Sequence, residues 1–491
     1  MSKLVITRVD DVYIKIHCDP DVAYELSAYF TFSVPGAKFS PMYRNKMWDG
    51  KIRLYNIMTK RVYAGLRLYV EIFAREREYE IEYDNSNAFC DEEYSLVDAE
   101  VDVKRYIKRP DIEVRDYQVE SYTHAIRTKR ALFVSPTASG KSLMIFSIVM
   151  QLLSRNPNRP ALIIVPTTSL VHQMATDFGD YMQDDPNKLC HRILAGAEKE
   201  SNKPIYVSTW QSIYKLPKEW FKRFGIVVGD EAHLFKAKSL TDIMSKMTDC
   251  QYRFGFTGTL DGTETHKLVL EGLFGPVKKV TTTAKLIENN TLSKFKIKAI
   301  VLNHSEETRK SIKGMQYVDE ISFITTSQHR NKFVTNLALS LKGNSLVLFR
   351  HKAHGKAIYD MLKDKMGDRQ LYYVDGDVDG EIREDIRKEV EDIQDGIIVA
   401  SLGTFSTGIN IKNLHNVIFA SPSKSRIKVL QSIGRGLRKL FSKNMFTLYD
   451  IADDLSWKSK KNHTILHFVE RIKMYNEEKF DYKIYNVELR S

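Results

Sequence analysis

One short stretch restricts what this chain can fold into more than any other: Ser135-Pro136-Thr137-Ala138-Ser139-Gly140-Lys141-Ser142, set between the apolar run Ala131-Leu132-Phe133-Val134 and the helix-favouring run Leu143 to Met150. A buried strand, a loop of small residues and a helix N-terminus, in that order, aim backbone N–H groups at one anion. In such a cradle Pro136, Thr137, Ala138, Ser139 and Gly140 would wrap the phosphates of a nucleotide, Lys141 would hold the β- and γ-phosphates, and the Ser142 hydroxyl would ligate Mg²⁺. The usual pattern G-x-x-x-x-G-K-[ST] begins with glycine where this chain has Ser135, and a Ser/Gly turn ahead of a helix reads the same way locally. Residues further along decide between the two.

Apolar runs recur after the loop with helical segments between them, the rhythm of a parallel α/β sheet. Ala161-Leu162-Ile163-Ile164-Val165 ends in Pro166-Thr167-Thr168, and Ile205-Tyr206-Val207 ends in Ser208-Thr209, so both put hydroxyls at the carboxyl edge of a strand. Ligands bind at that edge in such sheets. Phe224 to Gly229 then runs straight into Asp230-Glu231-Ala232-His233. Two adjacent carboxylates delivered by a buried strand are costly unless they pair or ligate. Asp230 suits a Mg²⁺ shell, and Glu231 suits the orientation and deprotonation of an attacking water. Arg253 to Phe256 is a further strand and ends at Thr257-Gly258-Thr259. Upstream of the loop lies Arg115-Asp116-Tyr117-Gln118. The Gln118 amide matches the donor and the acceptor of an adenine edge, and Arg115 or an aromatic beside it can stack on the base.

From Thr281 to about Gln328 this rhythm lapses in a Lys/Thr/Asn-rich stretch, and it resumes with Ser345 to His351, Leu371 to Val374, Gly396 to Ala400 and Val417 to Ala420. In the helix-like Lys428 to Lys439, Arg435 and Arg438 lie three apart, share a face and can reach one anion. A solvated basic helix is the alternative. The first ninety or so residues read as a small α+β module, with period-two runs at Val12 to Ile16 and Leu66 to Phe73 and a helix near Asp21 to Phe30. Within it, Lys38 to Tyr55 interleaves basic and aromatic residues, among them Lys46, Trp48 and Lys51. Such a mixture neutralises phosphates and stacks on bases, or else forms a hairpin with core aromatics and a charged outer face.

Composition sets the frame: at 491 residues, 43% hydrophobic and 28% charged, the chain has room for about three globular domains. A net charge of +12, spread along the chain, favours a polyanionic partner. Cys18, Cys90, Cys190 and Cys250 show neither metal-ligand nor disulfide spacing, and no apolar span is long enough for a membrane helix. We therefore expect a soluble cytoplasmic protein. Composition breaks suggest an N-terminal module at 1–90, a linker at 91–110, a first lobe at 111–280, a second at 281–452 and a basic tail at 453–491 whose role is packing or nucleic-acid contact.

With Asp230-Glu231-Ala232-His233 and Gln431-Ser432-Ile433-Gly434-Arg435-Gly436-Leu437-Arg438 in the expected order, residues 111 to 450 resemble the superfamily 2 helicases and translocases. That resemblance implies an α/β fold of two tandem RecA-like lobes with parallel sheets, behind a small α+β domain. It implies ATP and Mg²⁺ as cofactors, Gln118 on adenine, Gly408 at the nucleotide cleft, and Gln431, Arg435 and Arg438 at the γ-phosphate. His233, Thr257 and Thr259 would couple nucleotide to motion, while Pro166, Thr167, Thr168, Thr209 and Arg350 would line a nucleic-acid path. Ala138 stands where many relatives have Gly, Asn410 where many have Asp, and Leu260 where Pro is frequent. The bacteriophage branch of the superfamily, which the whole chain resembles, implies DNA as partner: single-stranded regions, forks, Holliday-type junctions and RNA–DNA hybrids, remodelled in recombination, repair and replication restart in a host cytoplasm. A duplex translocase without strand separation and an ATP-switched annealing protein are the rival readings, and the absence of a nuclease constellation counts against the first.

Overall fold

The computed structural model of the chain describes residues 2–34, 36–260, 263–289, 292, 294–404, 411, 413–422 and 445–489. It divides into two compact units, Met1–Ser135 with Gly140–Thr281, and Thr282–Ser491 grouped with the loop residues Pro136–Ser139. Among the described residues no helix is long and apolar enough to cross a membrane.

The N-terminal module has strands β1 (Lys3–Arg8), β2 (Tyr13–His17), β3 (Thr31–Ser33), β4 (Lys51–Arg53), β5 (Tyr55–Asn56), β6 (Arg61–Tyr63) and β7 (Glu80–Tyr83). Five make a mixed sheet in the order β5-β6-β2-β1-β7, with β7 parallel to β1, while β3 and β4 form a separate antiparallel ribbon. The expected helix is present at Pro20–Tyr29. Leu66 to Phe73 is not a strand: Arg67–Glu76 is helical, with Leu66, Val70, Phe73 and Ala74 buried and Leu68 exposed. Spacings of four, three and one fit a helix face, and the apparent alternation was accidental. The module shares one apolar core with the first lobe. Gly65 packs so closely on that lobe's helix Glu264–Phe274 that a Cβ would lie 2.0 Å from the Glu271 carbonyl oxygen. Nearby, Tyr69 donates to Glu271 Oε2 at 2.6 Å. Residues 91–110, set apart by composition as a linker, contain the helix Leu96–Asp102, whose Ala99 is buried in the lobe together with Val103.

Seven parallel strands form the first lobe: β8 (Arg130–Val134), β9 (Ala161–Val165), β10 (Cys190–Ile193), β11 (Ile205–Thr209), β12 (Ile226–Asp230), β13 (Tyr252–Thr257) and β14 (Val277–Lys279), ordered β10-β11-β9-β12-β13-β8-β14. Every residue of β9, β11, β12 and β13 is buried, as a sheet covered by helices on both faces requires. This order puts the carboxyl ends of β8, β13, β12 and β9 side by side.

The second unit repeats the plan with β15 (Lys294–Asn303), β16 (Ser345–Phe349), β17 (Leu371–Val374), β18 (Ile397–Ser401), β19 (Asn416–Phe419), β20 (Met445–Asp454) and β21 (Tyr482–Glu488), ordered β17-β18-β16-β19-β20-β15-β21 and parallel throughout. Both RecA-like lobes of the α/β expectation are thus present. The stretch read as a basic tail packs: helix His463–Glu477 lies on the sheet, and β21 is its edge strand beside β15. Glu320 anchors that helix, accepting bonds from the backbone N–H of His463 at 2.9 Å and of Thr464 at 2.7 Å.

Candidate nucleotide site

Loop and helix geometry follow from the residues at 135–142. Ser135 ends β8 with its N–H bonded to the Thr257 carbonyl at 2.8 Å, which ties the start of the loop to β13. Ala138 and Gly140 both have positive φ, at 66° and 82°. Gly140 caps the helix Lys141–Arg155, and a Cβ there would lie 2.3 Å from Gln118 Nε2. Only glycine combines that φ with that proximity. Gln118 is buried, and its Oε1 accepts from the Arg115 N–H at 3.0 Å, closing the N-terminus of helix Asp116–Thr128. The side chain assigned to adenine therefore lies against the phosphate loop, with Arg115 Nη1 donating to Tyr117 Oη at 2.6 Å. Lys141 Nζ lies 3.5 Å from the Ser135 carbonyl oxygen.

Across β13, strand β12 ends in Asp230 and Glu231. Glu231 adopts φ 49° and ψ 50°, a left-handed conformation that costs a non-glycine residue about 1 kcal/mol. Strain held at such a position points to function. Asp230 Oδ1 accepts the Glu231 N–H at 2.9 Å. Burial first, and then the Glu231 charge, pushes the Asp230 carboxyl up to about 6, with Lys141 and His233 pulling the other way. A buried carboxylate so penalised suits a bound cation. A carboxylate and a serine hydroxyl are the oxygen donors that suit Mg²⁺, an ion that keeps water and phosphate for its other positions. His233 Nδ1 lies 3.1 Å from Thr257 Oγ1, and that hydroxyl donates to the Thr259 carbonyl at 2.9 Å. A chain of hydrogen bonds therefore runs from the carboxylate segment to the end of β13.

Thr167 caps helix Thr168–Met182, accepting from the Leu170 N–H at 3.4 Å, and Pro166 precedes it at the end of β9. Thr209, at the end of the neighbouring β11, lies 3.0 Å from Ser212 Oγ. In the second unit, Arg350 is exposed at the end of β16 and donates to Tyr317 Oη at 3.3 Å. Lys46 and Lys51 are exposed in the N-terminal module, whereas Trp48 is half-buried and donates to the Lys51 carbonyl at 2.8 Å. Gly408, Asn410, Gln431, Arg435 and Arg438 lie outside the described residues. Sequence reasoning missed Tyr181, whose hydroxyl sits 2.8 Å from Ser142 Oγ. Its signal was faint: it extends the buried stripe Val171, Ala175, Phe178 of its helix by one more turn.

Residues 111–262 match the family model described as type III restriction enzyme, res subunit, and residues 329–439 match the helicase conserved C-terminal domain. Fold and site define a superfamily 2 helicase. Residues 5–84 match the model described as DNA helicase UvsW, N-terminal. The ATP-dependent DNA helicase uvsW of Enterobacteria phage T4 is 35% identical over 98% of this chain and 98% of its own length. The chain belongs to this UvsW family of ATP-dependent DNA helicases. The crystal structure of T4 UvsW aligns over 99% of this chain and 100% of its own, at 34% identity and a TM-score of 0.53. A DNA 3'-5' translocase, XPB2 of Sulfurisphaera tokodaii, is 23% identical over 80% of this chain and 89% of its own length.

Proposed function

We propose that the protein is an ATP-driven motor that remodels branched DNA (forks, Holliday-type junctions and RNA–DNA loops) in recombination, repair and replication restart. The observation that carries this reading is the placement of Asp230 and Glu231 with a single strand, β13, between their strand and the one that leads into the loop bearing Lys141 and Ser142. In this reading the loop N–H groups and Lys141 bind the triphosphate, Gln118 and Arg115 select adenine, and Ser142 and Asp230 hold Mg²⁺, which neutralises phosphate charge. Glu231 orients and deprotonates the attacking water. Gln431, Arg435 and Arg438 stabilise the γ-phosphate from the second lobe, and Gly408 gives the nucleotide room. The His233–Thr257–Thr259 chain relays the state of the nucleotide to strand ends that grip DNA through Pro166, Thr167, Thr168 and Thr209, with Arg350 gripping from the second lobe. Alternating grip and release moves the enzyme along one strand.

Steady-state ATP hydrolysis with no nucleic acid, single-stranded DNA, duplex, forked DNA and RNA tests this. Stimulation by single-stranded or forked DNA, abolished in Lys141→Ala, is the expected result. Glu231→Gln should bind forks without unwinding them. Rates indifferent to every nucleic acid would defeat the motor reading.

A further inference from the structure

The N-terminal ribbon carries an arrangement that the nucleotide site does not explain. Between β3 and β4 the chain forms two short helical turns, Ala37–Phe39 and Pro41–Arg44, and apolar side chains in and after them face outwards: Phe39 is 67% exposed, Met42 53% and Met47, just past the second turn, 73%. Isolated exposed apolar residues are ordinary, but several within one short segment mark an interface. The segment is also braced. Arg44 Nη2 donates to the Phe39 carbonyl at 3.1 Å, the Met47 N–H to the Met42 carbonyl at 2.9 Å, and Trp48 Nε1 to the Lys51 carbonyl. Tyr43 packs against Gly50, where φ is 77° and a Cβ would meet Cδ2 and Cε2 of the ring at 3.0 Å. Trp48 and Tyr43 thus hold the segment's shape, and Phe39, Met42 and Met47 are what it presents.

Charge narrows the occupant. Lys38, Lys46 and Lys51 lie exposed in the same segment and make no ion pair with a carboxylate among the described residues, while the nearby Asp49 is taken by Arg53. Lys38 Nζ sits 5.3 Å from the Phe39 ring centre. An exposed apolar segment that also carries three exposed lysines matches a ligand with flat apolar faces inside a polyanionic backbone: the last base pair of a duplex where its strands part. We propose that Phe39, Met42 and Met47 form a wedge that stacks on or inserts beside the junction base pair, with Lys38, Lys46 and Lys51 on the flanking phosphates. This rests on the reading of the protein as a DNA motor and adds the place where strands are parted.

The test uses the full-length protein without ATP and a fork carrying 2-aminopurine at the junction pair, whose fluorescence rises when the base unstacks. Wild-type protein should raise it, and so should the control Met58→Ala, which alters a 94% exposed methionine in a different turn. The combined Phe39→Ala, Met42→Ala, Met47→Ala protein should not, and should bind forks about tenfold more weakly. It should keep its thermal midpoint and its ATP hydrolysis on single-stranded DNA. A probe that stays dark with wild-type protein, or brightens equally with the triple variant, overturns the wedge. So does a change in sedimentation mass caused by the substitutions with fork behaviour intact, which would assign the patch to a second copy of the chain. Absence of DNA-stimulated hydrolysis in the wild type would instead defeat the motor reading, so the two failures are distinct.

Discussion

Ser142 Oγ and Tyr181 Oη lie 2.8 Å apart, the one hydroxyl heading the phosphate-loop helix and the other ending the next long helix. A serine hydroxyl has one proton and two lone pairs, so a single hydrogen bond to Tyr181 leaves it able to meet a cation. Burial pushes the Tyr181 hydroxyl up to about 12, so the partner stays neutral across the working range. Groups that orient a metal ligand matter almost as much as the ligand. Tyr181→Phe should therefore weaken Mg²⁺-dependent nucleotide binding about tenfold and leave binding in EDTA unchanged, as read by a fluorescent ADP analogue.

Asp230 is held against its own stability. Its folded pKa of about 6 lies above the 3.8 of an ordinary aspartate, so between those values the folded state binds more protons than the unfolded state. Stability from this group is greatest at low pH, falls as pH rises from about 4 to about 6, and stays low above that. Asp230→Asn should raise stability at pH 7.5 by about 2 kcal/mol, with less gain at pH 5, while abolishing ATP hydrolysis. Thermal melts at the two pH values measure the difference.

Ala138 occupies a left-handed conformation at φ 66°. Its Cβ makes that costly by about 1 kcal/mol, which explains why glycine is common there among similar loops. Ala138→Gly should stabilise the nucleotide-free protein by up to about 1 kcal/mol in urea unfolding. Because the loop becomes more mobile, KM for ATP should rise modestly.

In the second unit Asp450, Arg471 and Tyr475 form a buried cluster: Arg471 Nη2 donates to Asp450 Oδ1 at 2.8 Å and Tyr475 Oη to Oδ2 at 2.9 Å. Removing one member of such a pair strands the other charge. Asp450→Ala should cost about 3–5 kcal/mol, seen as a lower urea midpoint. Deleting residues 459–491 should unfold the second lobe, exposing it to limited proteolysis, rather than merely weaken DNA binding.

The sequence alone determined strands β8, β9, β11, β12 and β13 of the first lobe and β16 to β19 of the second, because each was a mostly apolar run closed by a chemically distinctive loop. It also contained signals that went unread: Lys294 to Asn303 alternates Lys with Phe295, Ile297 and Ala299, yet lay in a stretch judged to have no rhythm, and it is the long strand β15. Tertiary structure decided the rest. Leu66 to Phe73 satisfies two periods, and only the core it faces selects the helix. The residues after Asp453 look like a tail until β21 pairs with β15, where Asn303 Nδ2 donates to Glu488 Oε1 across 185 positions of sequence. Composition showed basic and aromatic residues interleaved around Trp48, but only the fold showed that its indole N–H bonds to the Lys51 carbonyl while Phe39, Met42 and Met47 are exposed. Burial, pairing and exposure depend on partners distant in the chain, and no local pattern encodes a distant partner.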